Sequence, residues 1–323
     1  MEADIVSGES GFDFPTENGE NLKRLSLEGS ILSERRICEL AEIADIAARF
    51  ASELSESGLG IYEILSLVGA DVSLSEDVCH EDAMEENLGR LRVVGELSDT
   101  ADRIVFSDLL TERLASSGIA LSERSFLPTE ARDETFAYVK NAYSDEAYDV
   151  FSQEFREPRL RYVQSFKDAV RLVLEKEVSY ALLPLEEAGG TRLPTVSALI
   201  YENDLKISAL TPVFGPDGAS ELKYALVSES LHIPPSSADD DRYLEIRLSA
   251  GRGEELFGAM IAAKMFGVGI YRVNTVSFSS SEQTESFFTV IFKGEGCDFT
   301  RLLVYLTLFT EDFDPVGMYK NLE

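Results

Sequence analysis

The chain of 323 residues carries 59 acidic and 29 basic side chains, a formal net charge of −30, and 44% hydrophobic residues. A charge of this sign repels phosphate backbones and anionic headgroups, so neither nucleic acid nor a membrane is expected as a partner. The three cysteines are scattered, which argues against a disulfide-rich protein. The acidic N-terminus argues against a secretion signal, and no apolar run approaches the about 18 residues of a membrane span. We therefore expect a cytoplasmic location.

The first part of the chain is predicted to contain a leader and a helical region. Residues 1–20 are rich in Gly, Ser and acidic side chains, so we expect a flexible leader. Residues 21–133 are expected to form a mainly helical acidic domain. Its first helix is indicated by apolar residues at helical spacing after Ser33, the expected N-cap, and ends at Gly58-Leu-Gly60. Two further helices are predicted over 61–68 and 107–116.

After Arg132 the pattern changes to alternating strands and helices. Strands are predicted over 135–139, 159–163 and 180–185, and helices over 144–155 and 165–177. This βαβαβ order favours a mostly parallel sheet whose ligands bind beyond the carboxyl ends of the strands, here 140–143 and 184–190. The predicted α/β segment, 134–230, is completed by a helix over 194–202 and strands over 205–214 and 222–228.

A polar, proline-bearing stretch, 229–241, is predicted to link this segment to a small C-terminal one, 240–323. There, Leu244, Ile246 and Leu248 alternate with Glu245 and Arg247, which predicts a strand with one apolar and one polar face. Helices are predicted over 254–266 and 299–310, and further strands over 268–278, 287–293 and 316–319. The complete order, βαββαβ, is the ferredoxin-like arrangement.

Three stretches of this half carry motifs of one known family in the family's order. They are Phe136-Ala-Tyr-Val-Lys-Asn-Ala-Tyr-Ser144, Pro184-Leu-Glu-Glu-Ala-Gly-Gly190 and Val316-Gly-Met-Tyr319. They are similar to the opening strand with its Gly-x-Tyr-Ser turn, the Pro-Ile-Glu-Asn-Ser motif and the closing Leu-Gly-Ser-Tyr of the prephenate dehydratase family. The resemblance implies a single periplasmic-binding-protein-like α/β lobe followed by a C-terminal ferredoxin-like ACT domain. With the helical N-terminal region predicted above, the expected fold class is α/β plus α+β.

Three departures from the family argue against catalysis. Leu222-Lys223-Tyr224 stands where the family has Thr-Arg-Phe, and a leucine makes none of the hydrogen bonds of that threonine. Glu187 and Ala188 replace the end of the Pro-Ile-Glu-Asn-Ser motif, and only 205–221 stands where the family has its second lobe. The resemblance then implies a non-catalytic relative. If the chain is active, the expected catalytic residues are Tyr143, Ser144 and Glu186.

The resemblance also implies a regulatory ligand. The family's ACT domain binds an aromatic amino acid, through residues that correspond here to Gly253, Glu254, Leu256, Asn274 and Thr275. We therefore expect a regulatory protein that binds an aromatic amino acid or a prephenate-like molecule, although Glu254 competes with an anionic ligand. Consecutive Phe287 and Phe288 point to opposite faces of a strand, so one of them needs a second apolar surface, which favours a homodimer through this domain.

Other interpretations of the same residues stay open. An active prephenate dehydratase, which forms phenylpyruvate in phenylalanine biosynthesis, is one alternative, and a protein-interaction scaffold without a ligand is another. Ser144 also suits the N-cap of the helix that follows it, and Gly189-Gly190 also suits a plain turn. No cofactor and no metal site is expected, because Cys79-His80 has no second ligand cluster and two histidines support no nucleophilic triad.

Overall fold

A computed structural model describes residues 16–56, 58–69, 94, 97–127, 133–215, 218, 221–234, 241–279, 284–296, 298–311 and 313–322. The first 15 residues of the expected leader, Cys79-His80 and residues 235–240 of the expected link lie outside the described residues. The described residues form helices packed on one large mixed sheet, which confirms the predicted mixed α/β architecture. None of the helices described is long and apolar enough to cross a membrane.

Within residues 16–127, the described parts include the helices α1 (Thr16–Glu56), α2 (Ile61–Gly69) and α3 (Thr100–Ser116) ahead of the sheet. The N-cap prediction for Ser33 is wrong, because α1 already begins at Thr16 and no proline interrupts the chain between the two residues. The predicted end of α1 is confirmed, and Gly58 there adopts a φ of +91°, which favours glycine. α3 starts earlier than predicted, after Asp99, which caps it by accepting a hydrogen bond from the Ala101 amide.

The α/β unit, residues 135–228, alternates strands and helices. Its elements are β1 (Thr135–Val139), α4 (Ala142–Ser152), β2 (Arg159–Val163), α5 (Phe166–Leu174), β3 (Tyr180–Glu187), α6 (Pro194–Glu202), β4 (Lys206–Phe214) and β5 (Glu221–Ser228). β1 pairs in parallel with β2 and β3, as the βαβαβ pattern predicts. β5 pairs antiparallel with β3 and β4. The prediction of a mostly parallel sheet is therefore wrong beyond β1–β3. The short link between β4 and β5 has no room for the crossover helix that a parallel pair requires.

The ferredoxin-like unit, residues 241–320, follows. It consists of β6 (Asp241–Ser249), α7 (Gly253–Met265), β7 (Gly269–Ser279), β8 (Thr284–Glu295), α8 (Thr300–Phe309) and β9 (Asp314–Lys320). A parallel contact between Ile207 of β4 and Gly317 of β9 joins the two units, so the nine strands that the structure describes form one sheet in the order β2-β1-β3-β5-β4-β9-β6-β8-β7. A Cβ at Gly317 would lie 2.5 Å from the Ile207 carbonyl oxygen, so this close approach needs a glycine.

The two faces of the ferredoxin-like strands bury different partners. α1, α2 and α3 pack with α7 and α8 over one face, in a core that includes Leu40, Phe106 and Phe292. On the other face, Ile291 and Tyr319 join the core beneath α5 and α6 of the α/β unit. The boundaries predicted at 134–230 and 240–323 stay predictions, and the sheet and this second core are continuous across them.

Phe287 and Phe288 lie on opposite faces of β8, as the alternation predicts. Phe288 packs against the core of the helices, and Phe287 packs against the core beneath α6. There its ring lies 5.3 Å from the ring of Tyr201 in an edge-to-face arrangement. Both phenylalanines therefore pack within the same chain, and neither needs the surface of a second copy. The homodimer stays a prediction, and this argument no longer supports it.

Candidate functional site

A buried network of charged and hydroxyl groups lies where the two units meet. Glu245 of β6 is fully buried and accepts two hydrogen bonds from the Arg192 guanidinium, at 2.6 and 2.7 Å. The hydroxyls of Tyr201 and Tyr319 each donate to the same carboxylate at 3.1 Å. Four donated hydrogen bonds therefore satisfy a carboxylate on the strand face that the sequence pattern marked as polar. That face of β6 packs against α6 and is not exposed to solvent.

Burial determines the protonation states in this network. Burial, reinforced by the charge of Glu245, raises the pKa of Tyr201 and of Tyr319 above its ordinary value. Burial alone would lower the pKa of Arg192, but the charge and hydrogen bonds of Glu245 outweigh it and raise that pKa. Neutral tyrosines and a charged arginine therefore surround Glu245 across the neutral pH range.

Glu186, at the end of β3, connects this network to a second arginine. Its Oε1 accepts from Arg192 Nε at 3.4 Å and from Arg272 Nη1 at 2.8 Å. Arg272 belongs to β7, and it also donates to the carbonyl oxygen of Gly190 at 2.8 Å. A Cβ at Gly190 would clash with this guanidinium. Gly190 thus turns the chain at a φ of +82° and also admits the chain's own arginine to the backbone.

A small cavity opens beside Glu186, and we call it the Glu186 cavity. It holds about 230 Å³ of empty space, part of it open to solvent, and its lining includes Glu186, Lys223, Tyr243, Tyr271, Tyr319 and Asn321. Glu186 and Lys223 face each other on the paired strands β3 and β5 and bring opposite charges to the cavity. The hydrogen bonds described for Glu186 all use Oε1, which leaves Oε2 for a ligand.

The walls of the Glu186 cavity are aromatic. Tyr243 stacks on Tyr319 with ring centroids 5.7 Å apart, and Tyr271 meets Tyr243 edge-on at 5.2 Å. The Arg272 guanidinium lies over the Tyr271 ring at 5.3 Å. Tyr243 and Tyr319 are buried, whereas Tyr271 is 46% exposed and forms the outer edge of the aromatic wall.

Tyr143 and Ser144 lie in the first turn of α4. Asn141 caps this helix by accepting a hydrogen bond from the Ser144 amide at 3.0 Å, so the alternative of Ser144 as the N-cap is wrong. Asn141 offers a side-chain oxygen three residues earlier and leaves Ser144 inside the first turn. Ser144 is fully buried, and its hydroxyl donates to the Tyr224 hydroxyl at 3.1 Å. Tyr143 packs at the edge of the same core.

The three residues expected to carry catalysis lie on two faces of the sheet. Ser144 contacts Tyr224, in the core beneath α4. Glu186 contacts Arg192 and lies in the cavity with Lys223. Lys223 and Tyr224 are consecutive on β5, so their side chains point to opposite faces. The structure brings Tyr143 and Ser144 together and separates both from Glu186, and their catalytic roles stay predictions.

The residues expected to bind a regulatory ligand also fall into two groups. Gly253, Glu254 and Leu256 lie in the first turns of α7, on the side of the sheet that the helices cover. Asn274 and Thr275 are consecutive on β7, the strand at one end of the sheet, and point to opposite faces. None of the five lines the Glu186 cavity. Their binding roles stay predictions.

Sequence reasoning missed most of the residues that form the network and the cavity. The residues missed are Arg192, Tyr201, Tyr243, Glu245, Tyr271, Arg272 and Tyr319. An acidic residue between Leu244 and Ile246 is a weak local signal for a buried carboxylate. Its partner Arg192 lies 53 residues away, and no local pattern connects the two. Among the residues that the structure describes, no group of three or more His, Cys, Asp or Glu side chains is placed to hold a metal ion.

Comparisons with known proteins found similar solved structures. GqqA, described as a novel type of quorum quenching acylase, is 22% identical with a TM-score of 0.44, over 58% of this chain and 95% of that one. Prephenate dehydratase from Streptococcus mutans is 13% identical with a TM-score of 0.43, over 59% and 100%. Prephenate dehydratase from Arthrobacter aurescens, in complex with L-Phe, is 13% identical with a TM-score of 0.41, over 58% and 89%.

No protein-family model and no curated protein matches the chain. Structural neighbours at TM-scores of 0.41 to 0.44 transfer neither a ligand nor an activity to this chain. What the chain does has to be argued from its own cavities and charges.

Proposed function

We propose that this chain is a non-catalytic regulatory protein that binds an amino acid, with an aromatic amino acid as the expected ligand, in the Glu186 cavity. The observation that carries the proposal is a carboxylate, Glu186, opposite an ammonium group, Lys223, in one small cavity with aromatic walls. A zwitterionic amino acid presents both complementary charges.

Each part of such a ligand has a partner in the cavity. Its carboxylate would bind the Lys223 amine, and its ammonium group would bind Oε2 of Glu186. The rings of Tyr243, Tyr271 and Tyr319 attract a cation to their faces and pack against an aromatic side chain. Because two arginines already hold Oε1 of Glu186, the carboxylate is oriented before the ligand arrives, which lowers the entropic cost of binding.

The position of the cavity supports a regulatory role. Glu186 and Lys223 belong to the α/β unit, whereas the three tyrosines belong to the ferredoxin-like unit, so a ligand would contact both. Glu186 is also paired with Arg272 of β7 at 2.8 Å, one of the ion pairs between the units. A ligand that binds one arrangement of the two units more tightly shifts the population toward it.

The surroundings of the expected catalytic residues support binding without catalysis. The Ser144 hydroxyl is buried and engaged with Tyr224, on the face of the sheet opposite to Glu186. Within the family resemblance, Lys223 stands at the arginine of Thr-Arg-Phe and Glu186 at the glutamate of Pro-Ile-Glu-Asn-Ser. The charges at these two positions are kept while the threonine is replaced by Leu222.

The proposal is tested by thermal unfolding with L-phenylalanine, L-tyrosine and prephenate. The unmodified chain is compared with Lys223→Met and with Lys264→Met, which removes an exposed lysine on α7, on the other side of the sheet. We expect an amino acid at a hundredfold excess over its Kd to stabilise the unmodified chain and Lys264→Met by about 2.7 kcal/mol. Lys223→Met should lose most of this stabilisation.

Three results would overturn the proposal. If an amino acid still stabilises Lys223→Met but no longer stabilises Asn274→Ala, the binding site lies at β7 instead. Formation of phenylpyruvate from prephenate would establish the alternative of an active prephenate dehydratase. The absence of a shift with all three ligands would favour the protein-interaction scaffold.

A further inference from the structure

A second cavity lies beside the hairpin β4–β5, on the face opposite to the Glu186 cavity. It has a volume of about 420 Å³ and is open to solvent on one side. Ala209 and Leu226, which pair across the hairpin, line it. Leu210, the residue after Ala209, lines the Glu186 cavity instead. Because side chains alternate along a strand, a ligand in one cavity does not touch the other.

One wall of the second cavity is built from aromatic rings. Phe151, Phe155 and Tyr180 line it. The ring centroids of Phe155 and Tyr180 are 5.2 Å apart, and Phe136 behind them contacts Phe155 at 4.9 Å and Tyr180 at 5.4 Å. A ring that lies against this wall and Leu226 gains apolar contact and aromatic pairing and stays open to solvent on its other side.

A lysine with a weakly held partner lies at the rim of this cavity. Lys320 Nζ is 3.4 Å from an oxygen of Glu154. The Lys320 side chain is 22% exposed, and that of Glu154 is 48% exposed. Glu154 therefore regains full hydration by turning into the solvent, whereas the less exposed Lys320 stays beside the cavity. An ion pair at this exposure contributes little to stability, so an incoming carboxylate replaces it at small cost.

We propose that this cavity, the Lys320 cavity, binds a small aromatic carboxylate, whose ring packs between Phe155 and Leu226 and whose carboxylate takes the place of Glu154 on Lys320. The net charge of −30 repels a monoanion at long range. At about 150 mM salt this repulsion is screened beyond about 8 Å, so the nearby Lys320 governs binding. Burial of the ring adds to the binding free energy, because it removes apolar surface from water.

The Lys320 cavity goes beyond the function proposed above, because its ligand needs no ammonium group and contacts other residues. It also joins separate parts of the chain. Phe151 comes from α4, Ala209 from β4, and Lys320 from the end of β9 in the ferredoxin-like unit. A bound carboxylate would therefore connect the last strand of the sheet to the α/β unit.

The test uses 3-phenylpropanoate, which lacks the ammonium group that the Glu186 cavity recognises, and 3-phenylpropanol, which also lacks the charge. Both are titrated calorimetrically into the full chain at about 150 mM salt. We expect 3-phenylpropanoate to bind about fivefold more tightly than the alcohol, because a partly exposed ion pair contributes up to about 1 kcal/mol. Lys320→Met should weaken the carboxylate about fivefold and leave the alcohol unchanged. Lys223→Met and the control Lys264→Met should leave both affinities unchanged.

Nuclear Overhauser contacts locate the probe independently of any variant, and we expect them between its ring protons and Phe151, Phe155 and Leu226. Equal affinities for the acid and the alcohol, or an unchanged affinity in Lys320→Met, would overturn the proposal. So would contacts to Tyr271 and Tyr319 or a loss of binding in Lys223→Met, which would place the probe in the Glu186 cavity. Absence of binding at millimolar concentration would also overturn it, without bearing on amino-acid binding.

Discussion

The buried carboxylate of Glu245 allows a sharp test of how the two units are held together. Glu245→Gln keeps the size of the side chain but removes its charge. It also replaces one acceptor oxygen with an NH₂ group, which is itself a hydrogen-bond donor. Arg192, 12% exposed in its side chain, then keeps Glu186 at 3.4 Å as its only carboxylate partner among the contacts described. Tyr201 and Tyr319 compete for the one remaining acceptor oxygen.

The expected cost follows from this loss of partners. Removing one member of a buried ion pair destabilises a protein by about 3 to 5 kcal/mol, because the other charge stays buried without compensation. Glutamine still accepts through one oxygen and Arg192 still has Glu186, so we expect about 3 kcal/mol. The double variant Arg192→Met with Glu245→Leu should recover much of this loss, since apolar side chains of similar volume replace a buried ion pair with little or no penalty.

Urea unfolding followed by far-ultraviolet circular dichroism measures the effect, because the chain contains no tryptophan. With an m value of about 3 kcal/mol per M, a loss of about 3 kcal/mol lowers the midpoint by about 1 M. A shift under about 0.3 M for Glu245→Gln would refute the reasoning, since it would mean that the carboxylate is hydrated or that its donors have other acceptors. A double variant less stable than Glu245→Gln would contradict the same argument.

Three further predictions concern single residues. Gly190→Ala should lower the thermal midpoint by about 2 °C more than Gly189→Ala, because both residues have positive φ but only a Cβ at 190 meets Arg272, whose guanidinium must then move; equal shifts would contradict this contact. Phe106→Ala should cost about 3 to 5 kcal/mol in one cooperative transition, because Phe106 is fully buried in the core that α1–α3 share with the ferredoxin-like unit; separate melting of the helices would disprove one shared core. The raised pKa of Tyr319 implies that stability falls above pH 10, where the unfolded chain releases a proton that the native chain retains, by up to about 1.4 kcal/mol per pH unit. Tyr319→Phe should show a shallower loss between pH 10 and 11 in urea titrations, and an unchanged slope would count against the burial of this hydroxyl.

Local patterns predicted most elements, because the period of apolar residues is a property of each segment alone. The strand Thr135–Val139 and the helix Pro194–Glu202 have the predicted bounds, and the βαββαβ order of the last part is as predicted. Caps were predicted less well. Ser33 and Ser144 both have a side chain that suits an N-cap. However, α1 begins before Ser33, at Thr16, and Asn141 directly precedes the helix that contains Ser144.

The functional residues were predictable only in part. Glu186 was identified from the family-like motif around it, and Lys223 was noted at the position of an arginine. Their proximity depends on the antiparallel pairing of β3 with β5, which the sequence pattern did not indicate. Arg272, 86 residues from Glu186, reaches it only because the sheet continues into the ferredoxin-like unit.

The acidic character, the apolar periods and hence the kind and order of the elements follow from the sequence alone, since each depends on residues close together in the chain. The pairing of the strands, the continuity of one sheet through both units and the burial of particular charges follow only from the folded structure. These depend on contacts between residues tens of positions apart, such as Glu245 with Arg192 or Lys320 with Glu154. Both cavities and the charges that define them exist only once those strands have paired.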